Sequence, residues 1–408
     1  MLFRWHQWIT SPRGFYISVV FYLCAVWALR SSLFAGVGGD DAEQLIFSQR
    51  WALGYGTGNP PLYTWAAILL NAVFGVGIGA TEALKFGLLA TTYVLLYQAA
   101  RLLFTDVRIV ALAALTPVAF YFVAWEAVLG FTHSIALIAM VAGFYLCLLK
   151  LETDSRWRAY LWLGLIGGLG LLAKYNFGLI AIALLAAAAT DTAYRRKFMS
   201  LKFALACLLA AAIFAPHAYW MAHHLEELGV FTRDRLMDDT MNSAVAKRLQ
   251  GIFLTLRGAL NFLLPLLIFL VPLFSKAFLP SGTGTNLNAR QHRIIGRTYL
   301  IVGLLILAGI LLFGIAKIRA HVFFIMILFP LFIFARIEAM EFSPLRHRLY
   351  AVCITIVALL VPAGLIVKFA VYPQSRFDTN LHISYATLAG KLQDAGFKKG
   401  TIFADGYP

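Results

Sequence analysis

Charged residues are scarce in this chain of 408 residues: they make up 13% of it, whereas apolar residues make up 61%. Soluble globular proteins contain roughly 45–50% apolar and about 25% charged residues. The 19 acidic and 34 basic side chains cannot cover the surface of a soluble protein of this length. The shortage of charge therefore excludes a soluble cytosolic enzyme, a disordered chain and a secreted disulfide-rich scaffold.

Cysteines are also few, and all four lie inside apolar runs. They show neither a metal-binding spacing nor a disulfide framework, so we interpret them as small apolar residues. The chain lacks a Walker motif, a G-x-G-x-x-G motif and a zinc-ligand spacing, which leaves a soluble nucleotide cofactor without support. The net charge of +15 does not indicate nucleic-acid binding, because the basic residues are scattered and form no dense stripe.

Apolar runs near 20 residues recur along the whole chain, and this is the length at which an α-helix crosses the hydrocarbon core of a bilayer. Eleven runs are suitable for spanning: 15–35, 84–103, 109–124, 131–149, 159–173, 176–190, 201–221, 256–275, 298–315, 320–335 and 349–371. They predict an all-α polytopic membrane protein, a bundle of about 11 transmembrane helices.

Basic residues cluster in alternate loops, as they do in loops on the cytoplasmic side of a membrane. Arg4 and Arg13 place the N-terminus on that same side, so the pattern requires an odd number of crossings. We therefore expect a further apolar run, 62–79, to lie at the outer interface without crossing, since a crossing there would invert every later loop. A chain with twelve spans and its N-terminus outside is the alternative.

This topology predicts a membrane domain at 1–372, with a first outer loop at 36–82 and an outer cap loop at 222–255. Residues 373–408 are then outside and resemble the start of a small C-terminal domain that stops early, because so short a segment builds little core. Its end, GTIFADGYP, is a strand-then-turn pattern.

Two adjacent aspartates, Asp40 and Asp41, stand where the first helix should leave the membrane. Helix capping is one explanation, because Asp40 lies three residues before Glu43, as in a capping box. Capping explains only one carboxylate, and two such groups near lipid repel each other and lose solvation. The pair therefore indicates a cation, a metal or a catalytic role. Residues 42–53 then predict an amphipathic helix on the membrane surface.

Basic side chains collect on the same predicted outer side as the acidic pair: Lys85, Lys174, Lys317, Arg319 and His321. A charge at membrane depth costs about 2.5–3.5 kcal/mol, so a functional role is the first hypothesis. For Lys174, the alternative is snorkelling to the lipid headgroups. Acids and bases at one membrane face match a lipid-linked phosphate substrate, with cations for the phosphate and a carboxylate for the attacking group.

The chain resembles the GT-C superfamily of glycosyltransferases that use polyprenyl-phosphate sugars. The matching segments are the acidic pair, PPLYTW, LLAKYNFG, APHAYW at 215–220 and KIRAH at 317–321. The resemblance covers most of 15–335 and is closest to bacterial families 39 and 83. These families include protein O-mannosyltransferases and the lipid A aminoarabinose and galacturonic acid transferases. They place the PPLY segment in a juxtamembrane helix, in agreement with the charge pattern of the loops.

The resemblance implies that Asp40 or Asp41 is the catalytic carboxylate and that Lys174 and Arg319 hold the donor phosphate, with Lys317 and Lys85 as further phosphate-binding candidates. The sugar would pass with inversion to a glycolipid or glycan on the periplasmic side of a bacterial inner membrane, lipid A or lipopolysaccharide core being the preferred acceptor. Candidates for lining the acceptor cavity are Glu126, His133, Tyr175, His217 and His321.

Two positions depart from the family pattern. Asn59 stands where aminoarabinose transferases have a lysine, and Phe131-Thr132-His133 stands where many members carry an aspartate. The second departure weakens a two-carboxylate metal site, and the sequence leaves open whether a divalent metal assists.

Two other function classes compete with a transferase. A lipid or sugar transporter without transferase activity would show paired broken helices in two related halves, and a structural subunit would leave the outer charges without a purpose. Convergence of Asp40, Asp41, Lys174 and Arg319 in one outer cavity would favour the transferase.

Overall fold

The predicted apolar runs fold into helices along nearly the whole chain. The computed structural model describes residues 2–56, 58–241, 243–279, 287–340, 342–371, 380–382 and 384–399. Its α-helices are α1 Leu2–Ile9, α2 Pro12–Leu33, α3 Gly39–Phe47, α4 Leu62–Phe74, α5 Ile78–Leu103, α6 Val107–Leu115, α7 Ala127–Leu129, α8 His133–Thr153, α9 Trp157–Ala173, α10 Asn176–Ala189, α11 Thr192–Phe198, α12 Leu201–Ala222, α13 Leu225–Leu236, α14 Ala244–Phe274, α15 Leu287–Phe313, α16 Phe329–Ala339, α17 Pro344–Val371 and α18 Tyr385–Asp394. These ranges contain no strand, which confirms the all-α class.

Eight helices within the described residues are long and apolar enough to cross a membrane. The number rises to ten if two bent pairs, Val107–Ala119 with Phe122–Leu129 and Asn176–Ala189 with Thr192–Phe198, each form one span. Helix α9, with 17 residues, lies at the lower limit of length for a span. A polytopic membrane protein is therefore confirmed, whereas the count of eleven spans stays a prediction.

The apolar run 62–79 is divided between two helices. Helix α4 has only 13 residues and ends at Gly75, which adopts a φ of 81° that favours glycine. A helix of that length extends about 20 Å, short of the roughly 30 Å hydrocarbon core. Its length agrees with the expectation that this run lies at the interface, and α5 then begins at Ile78.

The amphipathic helix of the first outer segment begins earlier than expected, at Gly39 rather than residue 42. Its N-cap is Gly38, and no side chain caps the helix. The capping explanation for Asp40 is therefore wrong, because Asp40 and Asp41 both lie inside the first turn. There they still interact favourably with the positive end of the helix dipole.

Helix α8 forms the centre of the bundle, since 89% of its most apolar stretch is buried inside the protein. It packs against α5 and α9 and against the 3-10 helix Ala320–Leu328. Because α8 and α9 are joined by a short turn, the start of α8 and the end of α9 lie at the same end of the bundle. His133 and Lys174 are therefore brought to the end where α3 lies.

A polar network joins the helices at the other end of α8. Glu152 forms an ion pair with Arg290 of α15 and accepts hydrogen bonds from Tyr194 of α11 and Gln291 of α15. These contacts fix three helices far from the acidic pair.

Most of the described residues of the predicted outer cap at 222–255 are helical, apart from the connections at 223–224, 237–241 and 243. It contains α13 and the first turns of α14, which starts at Ala244 rather than at residue 256. Of the tail from residue 373, the strand-then-turn segment 400–408 lies outside the described residues. The described part of the tail includes α18, and the backbone N–H of Gly36 donates to the Leu381 carbonyl oxygen at 2.7 Å. A separate C-terminal domain stays a prediction.

Candidate functional site

Two buried ion pairs hold the acidic segment against the bundle. The Lys85 ammonium of α5 lies 2.6 Å from Asp41 Oδ2, and both side chains have no exposed surface. One helical turn earlier, Glu82 pairs with Arg30 of α2. Glu82 also accepts hydrogen bonds from Trp27 Nε1 at 2.9 Å and from Ser31 Oγ at 2.6 Å. This buried charge quartet of Arg30, Asp41, Glu82 and Lys85 ties α2, α3 and α5 together.

Asp40 and Asp41 have different surroundings, because only Asp41 belongs to the quartet. Asp41 is enclosed and already paired, so neither its carboxylate nor the Lys85 ammonium faces an open cavity. Lys85 is thus placed to hold Asp41 rather than a substrate phosphate. Adjacent residues of an α-helix point about 100° apart, and Asp40 accordingly points to the surface, where its side chain is exposed.

Asp40 is exposed to solvent, although protein surrounds it on most sides. This partial burial raises the pKa of the Asp40 carboxyl, while the nearby charges of Lys174, Lys85 and Arg235 and a hydrogen bond from the Thr132 backbone oppose the rise. A carboxylate with a raised pKa is a better proton acceptor than an ordinary surface aspartate.

Asp40 lines a small recess together with Glu126. The recess has a volume of about 310 Å³, and Gly38, Gly39, Gly130 and Leu381 form part of its wall. Glu126 ends the π-helix Phe122–Glu126 and accepts a hydrogen bond from Tyr121 Oη at 2.6 Å. Single-turn π-helices of this kind frequently occur at functional sites.

Lys174 follows the last residue of α9, in an extended backbone conformation that ends the helix. Its Nζ donates to Ser134 Oγ at 2.9 Å. Burial lowers the pKa of Lys174 to about 8, although the charge of Asp40 acts in the opposite direction. The ammonium is half-buried and close enough to Asp40 for their charges to interact. A lysine that only snorkels to the lipid headgroups needs no such acidic neighbour.

Four basic side chains line a second, larger recess of about 340 Å³: Lys174, Arg235, Lys317 and Arg319. No acidic side chain is among the described residues that line it. Backbone hydrogen bonds from Ala316 and Lys317 to the Leu236 carbonyl oxygen, at 2.9 and 3.0 Å, join α13 to the segment before the 3-10 helix. The outer cap and that segment therefore form one basic wall.

Arg235 is the member of this wall that the sequence did not single out. Its guanidinium lies 4.4 Å from the ring centre of Phe231 and close enough to Asp40, Glu43 and Arg319 for their charges to interact. The small acidic recess and the larger basic recess are thus neighbours, linked through the charges of Asp40, Lys174 and Arg235. The sequence showed Arg235 only as one charge in a stretch of mixed sign.

The predicted cavity-lining residues divide into two groups. Tyr175 lines the basic recess, and its hydroxyl contacts His217 Nε2 at 3.1 Å. His217 Nδ1 lies 2.9 Å from the Leu53 carbonyl oxygen, so Nδ1 carries the proton and donates. His217 is fully buried and fastens the 48–61 loop to α12 rather than contacting the open recess.

His133 is also buried, in a chain of hydrogen bonds that joins three helices. Gln44 Nε2 lies 3.1 Å from His133 Nε2, and Gln44 Oε1 accepts from Thr64 Oγ1 at 2.7 Å. These contacts fix α3 against α4 and α8. The side chain of His321 lies outside the described residues.

Of the four residues expected in one cavity, only Lys174 and Arg319 line the same recess, whereas Asp40 lines the smaller neighbouring recess. The charges of Lys174 and Arg235 act on Asp40 across the two recesses, while Asp41 lies in the buried quartet. Among the described residues, no group of three or more His, Cys, Asp or Glu side chains could hold a metal ion.

The model of a protein family described as dolichyl-phosphate-mannose-protein mannosyltransferase matches residues 58–220. The matched segment is less than half of the chain, and over these residues the chain is similar to that family.

Two curated relatives come from Rhizobium johnstonii. The chain is 28% identical over 334 residues to the lipopolysaccharide core galacturonosyltransferase RgtB, an alignment that covers 80% of this chain and 66% of RgtB. It is 31% identical over 241 residues to the lipopolysaccharide core galacturonosyltransferase RgtA. This alignment covers 59% of this chain and 45% of RgtA. The chain therefore matches just under two thirds of one relative and less than half of the other.

A solved structure has the same fold. The crystal structure of ArnT from Cupriavidus metallidurans bound to undecaprenyl phosphate superposes with a TM-score of 0.56 at 17% sequence identity. The match covers 88% of this chain and 71% of ArnT. At that identity the likeness concerns the fold, and it confirms the predicted GT-C architecture.

Proposed function

We propose that this protein transfers a sugar from a polyprenyl-phosphate donor to the core of a lipopolysaccharide. The observation that carries the proposal is the placement of Asp40, a carboxylate with a raised pKa, beside a recess lined by four basic side chains. The basic recess matches the phosphate of a lipid-linked donor, and the carboxylate matches the hydroxyl that must lose its proton.

The reaction is a single displacement. The acceptor oxygen attacks the anomeric carbon, and the bond from that carbon to the donor phosphate oxygen breaks, with the electron pair leaving on the phosphate. The hydroxyl proton passes to Asp40. Lys174, Arg235 and Arg319 stabilise the negative charge that grows on the phosphate, so no general acid is required and the anomeric configuration inverts.

Asp41 and Lys85 have a positioning role in this mechanism. Their buried pair holds the first turn of α3 so that Asp40 faces the smaller recess, beside the basic one. Glu126, in the smaller recess with Asp40, is placed to bind the acceptor.

For the donor sugar we propose a uronic acid. The curated relatives are named galacturonosyltransferases. A phosphodiester with a neutral sugar carries one negative charge, whereas the recess presents four basic side chains; a sugar carboxylate supplies a second anion. Competition between uronic acid and neutral hexose donors on the same polyprenyl phosphate tests this part of the proposal.

For the topology, we propose a multi-pass protein of a bacterial inner membrane, with a cytoplasmic N-terminus and the site on the periplasmic side. The alternation of basic loops supports this orientation.

The Asp40→Asn variant tests the catalytic role. We expect transfer to fall by about 10²–10⁴-fold, because the amide cannot accept the proton, while the amount of folded protein in the membrane stays unchanged. The measurement is incorporation of labelled sugar from the lipid-linked donor into lipopolysaccharide, followed by mass spectrometry of the product.

Asp239→Asn is the matched control, since Asp239 is an exposed carboxylate 3.7 Å from Arg233 in the same outer segment. It should keep full transfer. Unchanged transfer by Asp40→Asn would show that the base lies elsewhere.

A further inference from the structure

Besides the two recesses near Asp40, the protein has an apolar groove that ends on the opposite side of the bundle. It has a volume of about 650 Å³ and runs between α5 and α9, with α8 as its floor. Leu95 and Ile166 form its two walls, and Gly143 lies on the floor between them. A Cβ at Gly143 would lie 3.4 Å from Ile166 and 3.5 Å from Leu95, so the missing side chain helps to keep the groove open.

The groove is apolar along most of its length and basic at one end. Lys150, in the last turn of α8, and Arg158, in the first turn of α9, line that end. Asp154 lines the same end and pairs with Arg158 at 3.1 Å, so Lys150 supplies the net positive charge there. Lys150 is exposed, and within the described ranges no carboxylate pairs with it.

The nearest acidic residue along the chain, Glu152, already has partners of its own and does not pair with Lys150. Glu152 pairs with Arg290 and accepts from Tyr194 and Gln291. Lys150 therefore presents an available positive charge where the apolar groove ends, at the end of the predicted span that α8 forms.

We propose that this groove binds one anionic phospholipid, with an acyl chain along α8 and its phosphate at Lys150. The combination of an apolar cleft between spanning helices and a basic end is complementary to such a lipid, and basic pockets between transmembrane helices bind anionic headgroups. The site is separate from the basic recess around Lys174 and does not depend on the transfer reaction.

Native mass spectrometry of the purified full-length protein in detergent tests the proposal. The probes are phosphatidylglycerol and phosphatidylcholine with identical acyl chains, and the measured quantity is the occupancy of the first bound lipid. One basic side chain at a membrane surface contributes a preference of about fivefold for an anionic lipid. We therefore expect the wild-type protein to prefer phosphatidylglycerol and Lys150→Gln to lose about fivefold of that preference.

The matched control is Arg195→Gln. Arg195 is an exposed basic residue in the next loop of the same predicted membrane side but does not line the groove. It should leave the preference unchanged. Equal losses in the two variants, or no preference in the wild-type protein, would overturn the proposal. Both variants change exposed side chains, so folding is not at risk, and the readout is independent of sugar transfer.

Discussion

Replacing Lys85 by methionine should destabilise this protein far more than replacing both members of its ion pair. Methionine keeps an unbranched side chain of similar length but removes the ammonium that lies 2.6 Å from Asp41 Oδ2. The other carboxylate oxygen, Asp41 Oδ1, has no hydrogen-bond partner within the described residues. Breaking a buried pair by removing one partner costs about 3–5 kcal/mol. Arg30, whose charge also reaches Asp41, keeps the expected loss near the lower end of that range.

The double variant Lys85→Met/Asp41→Leu removes both buried charges together. Replacing a buried ion pair by apolar residues of similar volume is often neutral in stability. We therefore expect the double variant to lie within about 1 kcal/mol of the wild-type protein. The free energy of unfolding, measured by titrating detergent-solubilised protein with a denaturing detergent, reports this difference. Because the double variant lacks the pair that positions Asp40, its transfer should fall, but by less than that of Asp40→Asn.

The control for this cycle is Arg158→Met, which breaks an exposed pair with Asp154 and should cost at most about 1 kcal/mol. Two results would contradict a stabilising role of the Lys85–Asp41 pair. One is a Lys85→Met variant as stable as the wild-type protein, and the other is a double variant as unstable as the single one.

The remaining predictions concern the basic recess. Arg235→Gln should raise the donor KM about tenfold or more, because one hydrogen bond to a charged group contributes about 1.5–3 kcal/mol. Arg233→Gln is the control. Arg233 lies on the same helix but does not line the recess, so this variant should leave the donor KM unchanged. The kcat/KM for donor should fall as the pH rises through about 8, because Lys174 loses its proton there. It should also fall on acidification, and at a higher pH than for an ordinary aspartate, because the pKa of Asp40 is raised. Lys174→Arg should move the alkaline limb to higher pH, and an unmoved limb would assign it to another group.

Much of the architecture could be predicted because it follows from local composition. The apolar runs predicted the helices. The alternation of basic loops predicted that 62–79 does not cross the membrane, and the 13 residues of α4 agree with that prediction. Lys174, Lys317 and Arg319 stood out because charges between apolar runs are costly. The apolar runs and the isolated charges are local signals, whereas the alternation of basic loops is read along the whole chain.

The division of roles between Asp40 and Asp41 could not be predicted, because it depends on the rotation of α3 and on partners distant in sequence. Asp41 pairs with a residue 44 positions later, and no local pattern reports such a contact. Arg235 was missed for a related reason. It lies in an outer helix of mixed charge, and only the contact of α13 with the segment around Lys317 turns it towards the recess.

The contact between Gly36 and Leu381 bears on how this protein is handled in the laboratory. Leu381 belongs to the wall of the recess that contains Asp40 and Glu126, although it stands more than three hundred residues away from Asp40 along the chain. A truncation ahead of Leu381 would remove that side of the cavity and leave Asp40 more hydrated. A shortened variant that lacks Leu381 and loses activity should therefore be tested for loss of this wall before the loss is attributed to a catalytic residue.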